Sequence, residues 1–140
     1  MIGQGLHWPD EVTSRPDLTG LQLEVLLTRV FLKAADPGPA HARLRLRFLH
    51  TDPDACVLVD GRSGASVITT GLLARSGTAD LTFHLRGPGA HRFWRGDLNV
   101  VAAMTDGTLR IEGALLRALA LAPGLKLVQA AYRELMDELD

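Results

Sequence analysis

The chain has 140 residues, of which 46% are hydrophobic, enough apolar material for one domain with a substantial core. A formal net charge of −1 argues against a nucleic-acid binder, which carries a clear basic excess or patch. Cys56 is the lone cysteine, so an internal disulfide is excluded and cytoplasm is the default compartment. The start, Met1 to Pro9, has neither a basic stretch nor a continuous apolar one, so no signal peptide is expected there. No run approaches the roughly 18 apolar residues of a spanning helix, so no integral membrane span is expected.

Residues 1–18 are rich in Pro, Gly, Asp and Ser without a sustained period, and read as an irregular amino-terminal arm; residues 19–140 form the domain. Thr19-Gly20-Leu21-Gln22 fits a capping box. From Leu21 to Ala35, Leu23, Leu26, Leu27, Val30, Phe31 and Ala34 share one helical stripe, ended by Asp36-Pro37-Gly38-Pro39. His41 to His50 switches to a period of two, with Leu44, Leu46 and Phe48 against Arg43, Arg45 and Arg47, which predicts a half-buried strand with one wet face. Thr51-Asp52-Pro53-Asp54 is a turn. Cys56 to Val59 is a short apolar strand and Ser66 to Thr70 a third, while Gly71 to Gly77 has no decisive pattern.

Asp80 to Leu85 alternates again. Gly87-Pro88-Gly89 breaks it, and Ala90 to Arg95 has room for about two helical turns. Leu98 to Met104 is apolar and small, with helix and strand both open on period alone. Asp106-Gly107 is a strong turn signal, followed by a strand carrying Leu109 and Ile111 and stopped at Gly113. Ala114 to Ala122 is apolar except for Arg117; a helix greasy on nearly all sides is expected to be buried on nearly all sides. After Pro123-Gly124 an amphipathic helix runs from Leu125 to Leu139, with Leu125, Val128, Tyr132, Leu135, Met136 and Leu139 on its inner stripe.

Chemically suggestive residues are few. His50, Asp52, Asp54 and Cys56 lie close together, but no zinc spacing matches, and a proline turn beside a core cysteine is the plainer reading. His84 and His91 flank a turn, and either could act as an acid or base near a pocket; His84 has the parity of a solvated face. The Arg43/Arg45/Arg47 stripe could attract anionic headgroups, or be the wet side of a sheet. No phosphate-binding glycine loop and no Gly-x-Ser-x-Gly elbow occur. Phe93-Trp94 places two aromatics about 100° apart, so one can enter a core while the other covers a neighbour or a cavity mouth.

The order of pieces from Ala79 to Ala122 resembles the sterol carrier protein type two family. The elements that carry it are Asp80-Leu81-Thr82-Phe83, Phe93 before Gly96-Asp97-Leu98, Ala102-Ala103-Met104, and Gly107-Thr108-Leu109-Arg110-Ile111-Glu112-Gly113 before an apolar helix. Ala114 departs from the pattern, where an Asp is common, and so removes a helix cap. The resemblance implies an α+β fold, a single mostly antiparallel five-stranded sheet covered by helices. It also implies an apolar tunnel for acyl chains, sterols or acyl-CoA, and no catalytic residue; no cofactor is expected.

The leading expectation is therefore a non-enzymatic carrier of an apolar small molecule, fatty acyl, sterol-like or polyketide-like. Its expected walls are Leu81, Phe83, Leu85, Phe93, Trp94, Leu98, Val101, Met104, Ile111, Leu115 and Leu119, with Tyr132 and Met136 on a terminal helix acting as a lid. Transient membrane contact belongs to this reading. Two alternatives stand beside it. One is a cyclase- or isomerase-like enzyme of bacterial secondary metabolism, using His84, His91 or Asp97 in the same cavity. The other is an interaction module whose apolar helices pair in a homodimer.

Overall fold

A computed structural model describes residues 18–139. The expected arm therefore lies, apart from Leu18, outside the described residues.

Helix α1 (Gly20–Ala34) starts as its sequence dictates. The Thr19 hydroxyl accepts from the Gln22 N–H at 3.1 Å, and the Gln22 side chain accepts from the Thr19 N–H at 2.8 Å. Its inner stripe is the expected one, with Leu23, Leu26, Leu27 and Val30 buried. The Asp36-Pro37 break is followed by a short helix α2 (Gly38–Ala42), which the proline-rich sequence had concealed. Strands β1 (Arg45–Thr51), β2 (Ala55–Asp60) and β3 (Val67–Thr70) then form an antiparallel meander.

The undecided segment after β3 is helix α3 (Gly71–Ser76), which packs on β2, β3 and β1. It carries the chain across the sheet to β4 (Leu81–Arg86), which lies parallel to β1. Helices α4 (Pro88–Arg95) and α5 (Val100–Asp106) follow, then β5 (Leu109–Gly113) antiparallel to β4. Leu98 to Met104, left open by its period, thus contributes to a helix, begun by Asn99, whose side chain accepts from the Ala102 N–H at 3.0 Å. Helices α6 (Leu115–Leu119) and α7 (Ala122–Leu139) complete the chain.

The strand order is β3-β2-β1-β4-β5. The sheet is mixed, and this corrects the expectation of a mostly antiparallel one: its central pair, β1 with β4, is parallel. Short connections join β1 to β2 and β2 to β3, while β4 and β5 pair across the two helices between them; the crossover through α3 was not readable, because Gly71 to Gly77 shows no period.

Asp80 fixes that central pair. Its N–H donates to the Arg45 carbonyl, and its carboxylate accepts from the Arg45 N–H, both at 2.8 Å. Gly113 closes β5 with φ +113, and a Cβ there would come within 2.0 Å of the Asp80 carbonyl oxygen, so only glycine fits.

The two faces of the sheet differ. Leu46, Phe48, Val57, Val59, Leu81, Phe83, Leu85, Leu109 and Ile111 share the inner face, by register. α1 and α7 pack there against each other, and α4 packs on α7. On the outer face α3 covers a small cluster of Cys56, Leu58 and Ala74. The arginine stripe is consequently not a freely wet face. Arg47 donates to the carbonyls of Ala74, Arg75 and Gly77 at the end of α3, and Arg45 lies 3.4 Å from Asp60. Burial among these aliphatic neighbours also pushes the Cys56 thiol upward in pKa, as fits a core cysteine.

One expectation fails outright. The greasy segment after β5 is not buried: α6 has no buried residue, and Leu116 and Leu119 are 82% and 70% exposed. Five residues starting at the uncapped Ala114 make too short a helix to reach the core on all sides.

These placements set a contrast in stability. Leu27→Ala, at a fully buried site on α1, should cost about 2–5 kcal/mol. Leu116→Ala should change stability by less than about 0.5 kcal/mol. Urea denaturation of both variants checks this, and equal losses would contradict the arrangement.

Candidate functional site: an apolar pocket between sheet and helices

Beyond the packed core, the inner face of the sheet looks into an apolar pocket of about 550 Å³. Its floor is built from alternate residues of neighbouring strands, Leu46 and Phe48 on β1, Val59 on β2, Ile68 on β3, Phe83 on β4, and Leu109 and Ile111 on β5. They meet because the registers align them, Val59 opposite Leu46 and Ile68, and Phe83 opposite both Phe48 and Ile111. The end of α1 supplies Phe31 and Leu32, α4 supplies Phe93 and Trp94, and α7 supplies Ala122, Leu125 and Val128. Val100 and Met104 of α5, with Leu115, Ala118 and Leu119 of α6, line the remaining side. Leu32, Met104, Leu115 and Leu119 are exposed as well as lining, so they form an apolar rim.

Of the expected wall residues, the structure brings Phe83, Phe93, Trp94, Met104, Ile111, Leu115 and Leu119 to this pocket. Leu81 and Leu85 share the face but sit inside the packed core. Leu98 is half-buried against that core, and Val101 points outward on α5 at 76% exposure. Tyr132 and Met136 are also core residues, on a helix packed along α1; the pocket takes the other end of α7. Phe31, Leu46, Phe48, Ile68 and Leu125 line the pocket without having been named for it. The stripe of α1 and the alternation of β1 already marked Phe31, Leu46 and Phe48 as inward-facing, and only the strand pairing was missing.

The aromatic residues form one connected wall. Phe48 stacks on Phe83 at 4.9 Å between ring centres, Trp94 meets Phe31 edge-on at 5.7 Å, and Phe93 meets Trp94 edge-on at 5.0 Å. Both members of the Phe93-Trp94 pair are buried, so neither caps the mouth.

Trp94 is anchored from behind. Its indole N–H donates at 3.0 Å to Nε2 of His50, which is buried and does not line the pocket. Because Nε2 accepts, the neutral ring must carry its proton on Nδ1. Burial lowers the His50 pKa from 6.5 to about 4, and the backbone of Ala55 and Phe48 pulls more weakly the other way. Close by, Nδ1 of His91 and the Tyr132 hydroxyl lie 2.7 Å apart, tying α4 to α7.

The groups proposed for acid–base work are elsewhere. His84 sits on the outer face of β4 beside Glu112, whose carboxyl its hydrogen bond holds below the usual range. His91 is buried against Tyr132 and does not line the pocket. Asp97 is exposed, 3.2 Å from Arg95. Among the described residues no group of three His, Cys, Asp or Glu side chains could hold a metal ion.

His50 carries a pH signature. Its folded pKa lies below its unfolded one, so the unfolded chain binds the extra proton between them and stability falls as pH drops from about 6.5 to about 4. The loss by the lower end should be of order 3 kcal/mol. His50→Gln, which keeps an acceptor for Trp94 but does not titrate, should flatten the stability profile in that window. Urea midpoints measured across it decide the matter; an unchanged slope would exclude His50 as its source.

No family model and no curated protein matches this chain. Among solved structures it is similar to apo sterol carrier protein 2 from Yarrowia lipolytica, with a TM-score of 0.56 at 17% identity, covering 87% of this chain and 96% of that one. The sterol carrier protein domain 2 of Helicoverpa armigera gives 0.51 at 16% identity, covering 86% and 89%. A stereoselective inverting sec-alkylsulfatase from Pseudomonas gives 0.52 at 19% identity over 79% of this chain, which spans only 16% of that enzyme. Four strand pairings, one of them parallel, with helices on the apolar face thus make up the sterol carrier protein 2 fold.

Proposed function

We propose that the protein binds and carries a lipid or other apolar small molecule in this pocket, which serves as a hydrophobic tunnel, without itself catalysing a reaction. The observation that carries the reading is the wall: about 550 Å³ of space bounded by aliphatic and aromatic side chains, with Asp36 and Ser66 the polar exceptions. The volume falls within the range of small-molecule sites. An apolar cavity of only about 150 Å³ stays dry and takes up benzene, so a space this size has little reason to hold water in preference to hydrocarbon.

Burial supplies the affinity. Each methylene moved from water contributes about 0.8 kcal/mol, so ten contribute roughly 8 kcal/mol before the costs of association and ordering. That is enough for micromolar binding without a charged anchor. The exposed rim of Leu32, Met104, Leu115 and Leu119 gives the ligand a continuous apolar path to the outside, and suits transient contact with a membrane surface during loading. No helix among the described residues is long and apolar enough to cross a membrane; the cytoplasm is part of the proposal. The fold likeness supports the same reading. The enzyme alternative has less support, since His84, His91 and Asp97 do not line the pocket.

Nile red, an uncharged apolar dye, should bind with one site per chain and be displaced by long-chain lipids. Ala118→Trp, which puts an indole into the pocket from α6, should weaken dye binding at least about tenfold, while circular dichroism shows unchanged helix content. A folded protein that never takes up dye or lipid would end the carrier reading.

A further inference from the structure

The polar inventory of the pocket bears on which lipids it admits. No Lys, Arg or His lines it among the described residues, so none of these offers a cation to a carboxylate or a phosphate. Among the described residues, the one ionisable side chain on the wall is Asp36, an acid. It is held in place. Its carboxylate accepts from the Gly38 N–H at 2.8 Å, and lies so close to Gly124 in the first turn of α7 that a Cβ there would come within 2.2 Å of both oxygens. Arg117, on the lining helix α6, is turned to the Ala42 carbonyl at 3.3 Å and is absent from the wall. A bound lipid therefore meets an acid at Asp36 and hydrocarbon nearly everywhere else.

The geometry points to a pocket selective for lipids whose polar end is uncharged and donates a hydrogen bond, such as long-chain alcohols, and against fatty-acid anions of the same chain. This deepens the carrier reading and rests on it. A hydroxyl near Asp36 donates to the carboxylate, which has lone pairs beyond the one used by Gly38. A ligand carboxylate near Asp36 meets a like charge in a partly desolvated mouth, where the repulsion is worth about a factor of ten in affinity. The hydrocarbon contribution cancels between two ligands of equal chain length, so the comparison isolates the head group.

Dodecan-1-ol and dodecanoate should be compared as competitors of Nile red at about pH 8, where the fatty-acid ligand is an anion. The alcohol is expected to bind about tenfold more tightly. Asp36→Asn, which retains an oxygen for the Gly38 N–H, should narrow the gap to within about threefold, mainly by improving dodecanoate binding; Asp36→Ser provides a second variant should Asn disturb the turn. The wild-type comparison needs neither. Equal affinities, or tighter binding of dodecanoate, would overturn the selectivity and leave the carrier standing. Failure of both ligands and of the dye would overturn the carrier reading and the selectivity with it.

Discussion

The register of one parallel strand pair governs this molecule. Asp80 binds the backbone of Arg45 through both its N–H and its carboxylate, and from that point β4 runs alongside β1 with Leu81, Phe83 and Leu85 opposite Leu46, Phe48 and His50. Side chains alternate between faces along a strand, so a slip of one residue would turn Phe83 outward and bring Thr82 or His84 inward. The antiparallel partners β2 and β5 take their parity from this pair, which puts Val59 and Ile111 on the same face. The apolar floor of the pocket is thus a consequence of register.

That face has more apolar surface than the helices cover. α1, α4 and α7 bury one part under Leu27, Val30, Trp94, Val128 and Tyr132, giving the solid core. The remainder is overhung by α5 and α6, of seven and five residues, which leave space beneath them. Exposed leucines on α6 follow from the same geometry. A short helix at a pocket mouth can turn Leu115, Ala118 and Leu119 toward the opening, and Leu116 must then face water. The excess of aliphatic residues in this part of the sequence reflects an unfilled interior and an apolar rim together.

Much of this was legible in the sequence where physics is local. The capping box at Thr19, the stripe of α1, the alternation of β1 and β4 and the glycine that ends β5 each carry a short-range signal. What stayed hidden was long-range. Gly71 to Gly77 has no period, yet as α3 it carries the chain over the outer face and makes β4 parallel to β1. The same gap concealed the role of Arg45 and Arg47, whose alternation fitted a wet face until α3 was laid over them. In the site, Phe83 and Ile111 were legible because β4 and β5 alternate strongly. Val101 and Tyr132 do not line the pocket, because helical phase in the short α5 and the packing of α7 on α1 depend on tertiary contacts rather than spacing.

An apolar hollow is unstable toward collapse, since neighbouring side chains gain contacts by falling into it. Two features resist that here. The floor is a hydrogen-bonded sheet, which cannot bend inward without breaking its ladders. The largest side chain on the wall, Trp94, cannot rotate into the space without parting its indole N–H from His50, and a buried donor left unpaired costs about 1–3 kcal/mol. His50 can hold it only while neutral at Nε2, which is the state that burial enforces. A buried histidine that does not line the pocket thereby maintains the shape of its wall.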